Sequence, residues 1–133
     1  MKIPIEYSLT KLGLPLIVTS SQPNLCVLID TGATHNIVFS YVYEEFPKYF
    51  SALQDASCLM GIEGTQQRTS QVEAFIFFDN RDSIVTFSVM ETNEAILQIQ
   101  KESGIQIYGI LGIPFLTQNK WILDFKNLKI KST

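Results

Sequence analysis

Val27-Leu28-Ile29-Asp30-Thr31-Gly32-Ala33 is the stretch on which the reading of this chain turns. Its three leading apolar residues predict a strand that runs through the interior. That strand delivers a carboxylate directly into a glycine turn. A buried, unpaired carboxylate is costly, so a core strand that ends this way calls for a use of the acid or for access to water. A solvated Asp opening a turn accounts for the tetrad by itself, because Asp, Thr and Gly are all turn formers. A second stretch bears on the choice. Gly109-Ile110-Leu111-Gly112, far downstream, is an apolar pair bounded by glycines. Gly112 has no side chain, so another backbone can pass close to it. Pro114 in the first turn also suits a helix start there. The two readings are compatible.

Outward from these stretches the pattern is that of short strands. Residues 3–8 alternate, while 14–19 and 25–29 are apolar runs separated by a turn over 20–24. Residues 37–39 form a brief strand. Ser40 is an N-cap candidate for 41–54, with Glu44 and Glu45 following. Pro47 breaks that segment into short helical turns. Residues 56–78 read as a hairpin about Gly61-Ile62-Glu63-Gly64, and 84–90 as a further alternating strand. Residues 92–106 are polar, with a helical turn over 94–100. The run YGILGIPFL is expected to be buried, and WILDF and LKI supply the closing strands. No repeat, low-complexity tract or linker divides the chain, so residues 1–133 are read as a single domain.

Composition narrows the class. The chain has 133 residues, enough for a core, and is 46% hydrophobic with 17% charged residues, nine Phe and five Tyr. Such a balance favours a β-rich domain or one partly covered by a partner. Net charge is -3 with only ten Lys and Arg, which lacks the basic stripe that phosphate binding demands. Lys126, Lys129 and Lys131 at the tail fit a solvated strand edge, where lysine discourages strand pairing. No nucleic-acid partner is expected. Cys26 and Cys58 lack metal-ligand spacing and there is one histidine, so no zinc site is expected. No apolar run reaches the roughly 18 residues of a spanning helix. The first eighteen residues, with Pro15 interrupting a short apolar stretch, do not read as a signal peptide. Composition leaves the compartment open.

The two motifs, in this order, resemble the retropepsin family: retroviral-type proteases and their cellular relatives. In that family an Asp-Thr-Gly-Ala loop carries the catalytic acid. A later apolar-apolar-Gly strand threads beside it, followed by a short helix and a closing strand. Ile110-Leu111-Gly112, then residues 113–116, then WILDF match that succession, and 59–65 stands where the family has its flap. The resemblance spans roughly residues 14–125. It implies a mostly β, retropepsin-like closed barrel, the acid protease fold, built as a single lobe with one or two short helices and a flap hairpin. It implies catalytic roles for Asp30, Thr31 and Gly32: the acid, a hydroxyl bracing the partner loop, and a carbonyl near substrate. Substrate contacts are expected from Ala33, Thr34, Gly61, Ile62, Glu63, Gly64 and Ile110, and the implied chemistry uses no metal or cofactor.

Pepsin-like chains carry two such loops, whereas this chain has one. Asp55, Asp79, Asp82 and Asp124 are not followed by Thr-Gly or Ser-Gly. The expected assembly is therefore a homodimer with its two-fold axis between two Asp30 side chains, acting on a peptide or protein substrate as an aspartic endopeptidase. The competing reading is a catalytically silent dimer of the same fold that grips an extended peptide. The sequence departs from some retroviral relatives, which place acids shortly after Gly-Ala and Arg after the later Gly. Thr34, His35 and Ile113 stand there, so that ion pair is lost on both sides and a different dimer brace is expected. Glu63 is expected to face water, His35 to lie at the surface, and Trp121 to serve packing in the core or the dimer.

Overall fold

Alternation of large apolar residues lays down the central hairpin. In β6 (Gln66–Phe78), Val72, Ala74, Ile76 and Phe78 are buried while the residues between them face outward. In β7 (Arg81–Met90), Val85 and Phe87 complete the same inner face. The period of two fixes the register, Val72 opposite Phe87 and Ala74 opposite Val85. The computed structural model describes residues 1–20, 22–60, 66–79 and 81–132, with the backbone alone at 54–60 and 66–68.

Ten strands and four helices are described. β1 (Lys2–Pro4) leads into α1 (Glu6–Leu12), then β2 (Leu16–Val18), β3 (Cys26–Ile29) and β4 (Ile37–Phe39). Next come α2 (Ser40–Glu45), a 3-10 turn (Pro47–Tyr49) and β5 (Ser51–Met60). After β6 and β7 follow α3 (Glu94–Ser103), β8 (Gly109–Leu111), α4 (Ile113–Gln118), β9 (Trp121–Asp124) and β10 (Lys129–Ser132). Seven strands form a mixed sheet in the order β2-β3-β8-β4-β7-β6-β5, and three form a second sheet, β1-β10-β9. A 2.8 Å hydrogen bond from Ser20 N–H to the Phe77 carbonyl ties the chain just past β2 to β6, so the large sheet curls back on itself. The expected mostly β architecture is present. Among the described residues, no helix is long and apolar enough to cross a membrane.

Helix content exceeds the one or two short helices expected. The alternation over residues 3–8 predicts one strand, yet only Lys2–Pro4 is extended before α1 begins. Ile5, Leu9 and Leu12 recur at helical spacing and turn one face inward, with Ile5 wholly buried. Burying that side chain is worth about 2 kcal/mol, which outweighs the modest strand preference of the flanking residues. Gly13, at φ 70°, closes α1 in the left-handed region and donates its N–H to Leu9. α3 is also longer than the turn expected at 94–100: the Asn93 side chain caps it by accepting from Ile96 N–H at 2.9 Å, and Gly104 ends it. Ser40 is the first residue of α2 rather than its cap, and β5 already begins at Ser51. The lysines at 129 and 131 lie on the central strand of the small sheet, between β1 and β9, and not on its edge.

Candidate active site

Asp30 stands where β3 ends, and three backbone hydrogen bonds set the loop that follows. Its N–H donates to the Leu111 carbonyl at 3.0 Å, which anchors it to β8. Ala33 N–H donates back to the Asp30 carbonyl at 3.2 Å, and Ile113 N–H donates to the Ala33 carbonyl at 2.9 Å. The side chain is oriented by its own turn, since Gly32 N–H donates to Asp30 Oδ1 at 2.8 Å. The carboxylate is half-buried while Thr31 and Gly32 are exposed, so the acid reaches water. This is the resolution of the cost that a buried, unpaired carboxylate would carry.

β8 is wedged between the strands on either side of this loop. It runs parallel to β3, with Ile29 opposite Leu111, and antiparallel to β4, with Ile37 opposite Ile110. Its bounding glycines are required by contact. A Cβ at Gly109 would lie 2.5 Å from the Ile37 carbonyl oxygen; one at Gly112 would lie 2.6 and 2.7 Å from the Ala33 and His35 carbonyl oxygens. Gly112 therefore lets the 33–35 backbone pass directly over it, as its lack of a side chain suggests.

Asn36 was not singled out by the sequence, yet it holds the loop to the sheet on both sides. It is 5% exposed, and its Oδ1 accepts from Gly112 N–H at 3.0 Å. Its Nδ2 donates to the Thr86 carbonyl at 3.3 Å, and its own carbonyl accepts from Ser88 N–H at 2.8 Å. One side chain thus couples the acid-bearing loop to β7 and to the end of β8.

Of the expected site residues, Asp30, Thr31, Gly32, Ala33 and Thr34 share this one turn. Thr34 is exposed and its Oγ1 lies 3.0 Å from His35 Nδ1. Ile110 is 7% exposed and packs within the sheet between Leu28 and Ile37. β5 and β6 pair as far as Met60 opposite Gln66, forming the two arms of the expected hairpin. Gly61, Ile62, Glu63 and Gly64 lie outside the described residues. Ile113 is 44% exposed beside the loop, and Trp121 packs edge-on against Phe78 and Phe115 in the core. Beside Asp30 and Thr31 opens a groove of about 400 Å³ walled by Leu9, Leu14, Leu28, Leu123 and Phe125. Among the described residues, no group of three or more His, Cys, Asp or Glu side chains comes together.

The fold as a whole has clear structural counterparts. EIAV protease complexed with the inhibitor HBY-793 superposes with a TM-score of 0.58 at 20% identity, covering 79% of this chain and 86% of that one. The fold is retropepsin-like. A retroviral protease-like domain of Ddi1 from Leishmania major matches with a TM-score of 0.56 at 11% identity, over 90% of this chain and 91% of the domain. No protein-family model matches the sequence, and no curated protein matches it. The retropepsin-like fold accounts for the glycine contacts above: it needs a strand inserted between the two that flank the acid loop, and only glycine leaves room for it at both ends.

Proposed function

We propose that two copies of this chain form an aspartic endopeptidase whose acid pair is Asp30 from each. The observation that carries the reading is the Asp30 turn itself: a carboxylate at the end of a core strand, oriented by Gly32 N–H and open to water, in a retropepsin-like frame. A single chain offers one such acid, so the second must come from a two-fold mate.

Two carboxylates within hydrogen-bond reach do not both ionise readily, so the pair holds one proton between them, as in aspartic proteases generally. The ionised Asp30 takes a proton from a bridging water as the water oxygen bonds to the scissile carbonyl carbon. The protonated Asp30 hydrogen-bonds the carbonyl oxygen as it gains charge. Collapse of the tetrahedral species breaks the C–N bond as a proton passes to the leaving nitrogen, giving a carboxylic acid and an amine. Thr31 braces the mate's loop, the Gly32 carbonyl borders substrate, and Ala33, Thr34 and residues 61–64 contact the extended peptide.

The test is digestion of an unbiased peptide mixture from about pH 3.5 to about pH 7, wild type beside Asp30→Ala, with each fraction sized. Cleavage that requires Asp30, follows the dimer and is blocked by a statine-type inhibitor is the expected result. Intact peptides at every pH from a folded dimer overturn the protease reading and leave a peptide-binding dimer.

A further inference from the structure

A second groove, of about 500 Å³, opens near the start of β3. It is walled by Pro23, Phe46, Pro47 and Tyr49, with Glu45 and Lys48 exposed on it. Pro23 precedes β3 and Asp30 follows it, so the groove and the acid stand at opposite ends of that strand. Its walls are preformed. Phe46 N–H donates to the Val42 carbonyl at 2.9 Å, and Tyr49 N–H to the Phe46 carbonyl at 3.0 Å. The Tyr49 hydroxyl donates to the Phe75 carbonyl at 2.6 Å, and its ring packs edge-on against buried Phe50 at 5.1 Å. Pro47 has its φ fixed by its own ring. Walls held this way lose little freedom when a ligand binds.

The groove adjoins an apolar sheet face. The Phe75 carbonyl held by Tyr49 belongs to β6, and Ser20 N–H, just before the 22–23 wall, holds the Phe77 carbonyl of the same strand. From that strand Phe75, 52% exposed, and Phe77, 39%, face outward, with Ile84, 50%, opposite Phe75 on β7. Exposed apolar side chains gathered in this way mark a recognition surface. Charge indicates what it takes. Glu45 lines the groove with exposed Glu44 before it on α2, and Glu73 and Asp82 flank the aromatic pair on the two strands. Among the described residues of groove and face, Lys48 is the one cation, so the surface complements a basic ligand. Shape narrows the ligand further. An amphipathic helix, about 10 Å across, needs a long apolar trough, whereas this groove lies between two short segments, 22–23 and 45–49. Aromatic and prolyl faces set close together suit the prolyl rings of an extended peptide, which is ordered before it binds.

We infer that this groove docks a basic, proline-containing segment of another protein, held in the polyproline II conformation. Its prolyl rings lie against Pro23, Phe46 and Tyr49, and the Lys or Arg beside them pairs with Glu45 and Glu44. Apolar residues further along it reach Phe75 and Phe77. The site makes and breaks no bond. It stands apart from the protease reading, since it uses neither Asp30 nor a second copy of the chain.

Fluorescence polarisation tests this, with wild type and Asp30→Ala each titrated against a labelled decapeptide that carries paired prolines and a flanking pair of arginines. Three companion peptides replace Arg by Glu, replace Pro by Ala, or form a basic amphipathic helix. The expected result is saturable binding of the first peptide, with a dissociation constant below about 1 mM, and binding at least about tenfold weaker for each companion. Glu45→Lys and Tyr49→Ala should each weaken the first peptide about tenfold, and Glu45→Lys should bind the Glu-flanked peptide better than wild type does. Glu45 is exposed, so its replacement leaves the fold intact and decides the matter even where Tyr49→Ala unfolds. Leu97→Lys, at an exposed apolar position on α3, should bind as wild type does. Absence of binding, undiminished binding in Glu45→Lys or in a folded Tyr49→Ala, or preference for the helical or proline-free peptide overturns the inference. Equal binding by wild type and Asp30→Ala, from a chain that cuts nothing, refutes the protease reading and leaves this one standing. Cleavage without binding does the reverse.

Discussion

Three residues decide the local geometry at Asp30, and they differ in how far the sequence revealed them. Asp30 was legible because a carboxylate at the end of an apolar run is chemically conspicuous. Gly112 was legible in part: a glycine after Ile-Leu signals a close approach, and the structure identifies the Ala33 and His35 carbonyls as what approaches. Gly112→Ala should lower stability by about 2 kcal/mol, because both obstructing atoms are backbone and neither yields by a rotamer change. Denaturant unfolding measures this, and the same variant should lose peptide cleavage in step with the displaced loop. Asn36 was illegible. Its partners Gly112 and Thr86 are remote in sequence, and an Asn between His and Ile looks like any turn residue. Asn36→Ala leaves the buried Gly112 N–H and the part-buried Thr86 carbonyl without that side chain. The expected cost is about 3 kcal/mol in chemical denaturation.

Among elements, strands announced themselves by alternation, and most helices were shortened or missed. The sequence of α1 suits a strand as well, because Ile3, Ile5 and Tyr7 alternate just as Ile5, Leu9 and Leu12 recur at helical spacing. Only the depth at which Ile5 packs favours the second pattern. α3 was underestimated because its length is set by its ends, the Asn93 cap and Gly104 in the left-handed region. Asn93→Ala should cost about 1 kcal/mol, visible as a lower unfolding midpoint. The β9–β10 hairpin depends on Asp124. Its carboxylate accepts from Lys126 N–H, from both the side chain and N–H of Asn127, and from Lys131 Nζ at 3.2 Å. These bonds, those from Asn127 foremost, hold the acid well below the usual carboxylate range. A folded-state value below the unfolded one, near 3.8, means the stabilisation is complete above that pH and is lost as pH falls through the folded value. The difference in melting temperature between wild type and Asp124→Asn should therefore be full at neutral pH. It should persist at about pH 4 and close only in stronger acid, so the hairpin survives the range where an aspartic protease is assayed.

At the level of the whole molecule, the retropepsin-like frame was legible from two short motifs because each is dictated by a contact the fold cannot avoid. The character of the small sheet was not legible. The lysines near the tail read as an edge device, and only the pairing of β1 with β10 shows that Lys129 and Lys131 occupy a middle strand. The large sheet imposes a further condition, one of time. β3 and β4 are neighbours in sequence but are separated in space by β8, which arrives about eighty residues later and must slide between them. A loop of that length is slow to close. Until residues 109–112 are in place, Asp30 lacks the Leu111 carbonyl that anchors its N–H, and the 33–35 backbone has nothing to lie against. A chain emerging during synthesis therefore carries its acid early but has no formed site until the last quarter has been made. Refolding followed by stopped-flow should show protection of the Asp30 and Ala33 amides only in the final phase. Under the proposed protease function, a nascent chain of this design is thus inert toward its neighbours for most of its own manufacture.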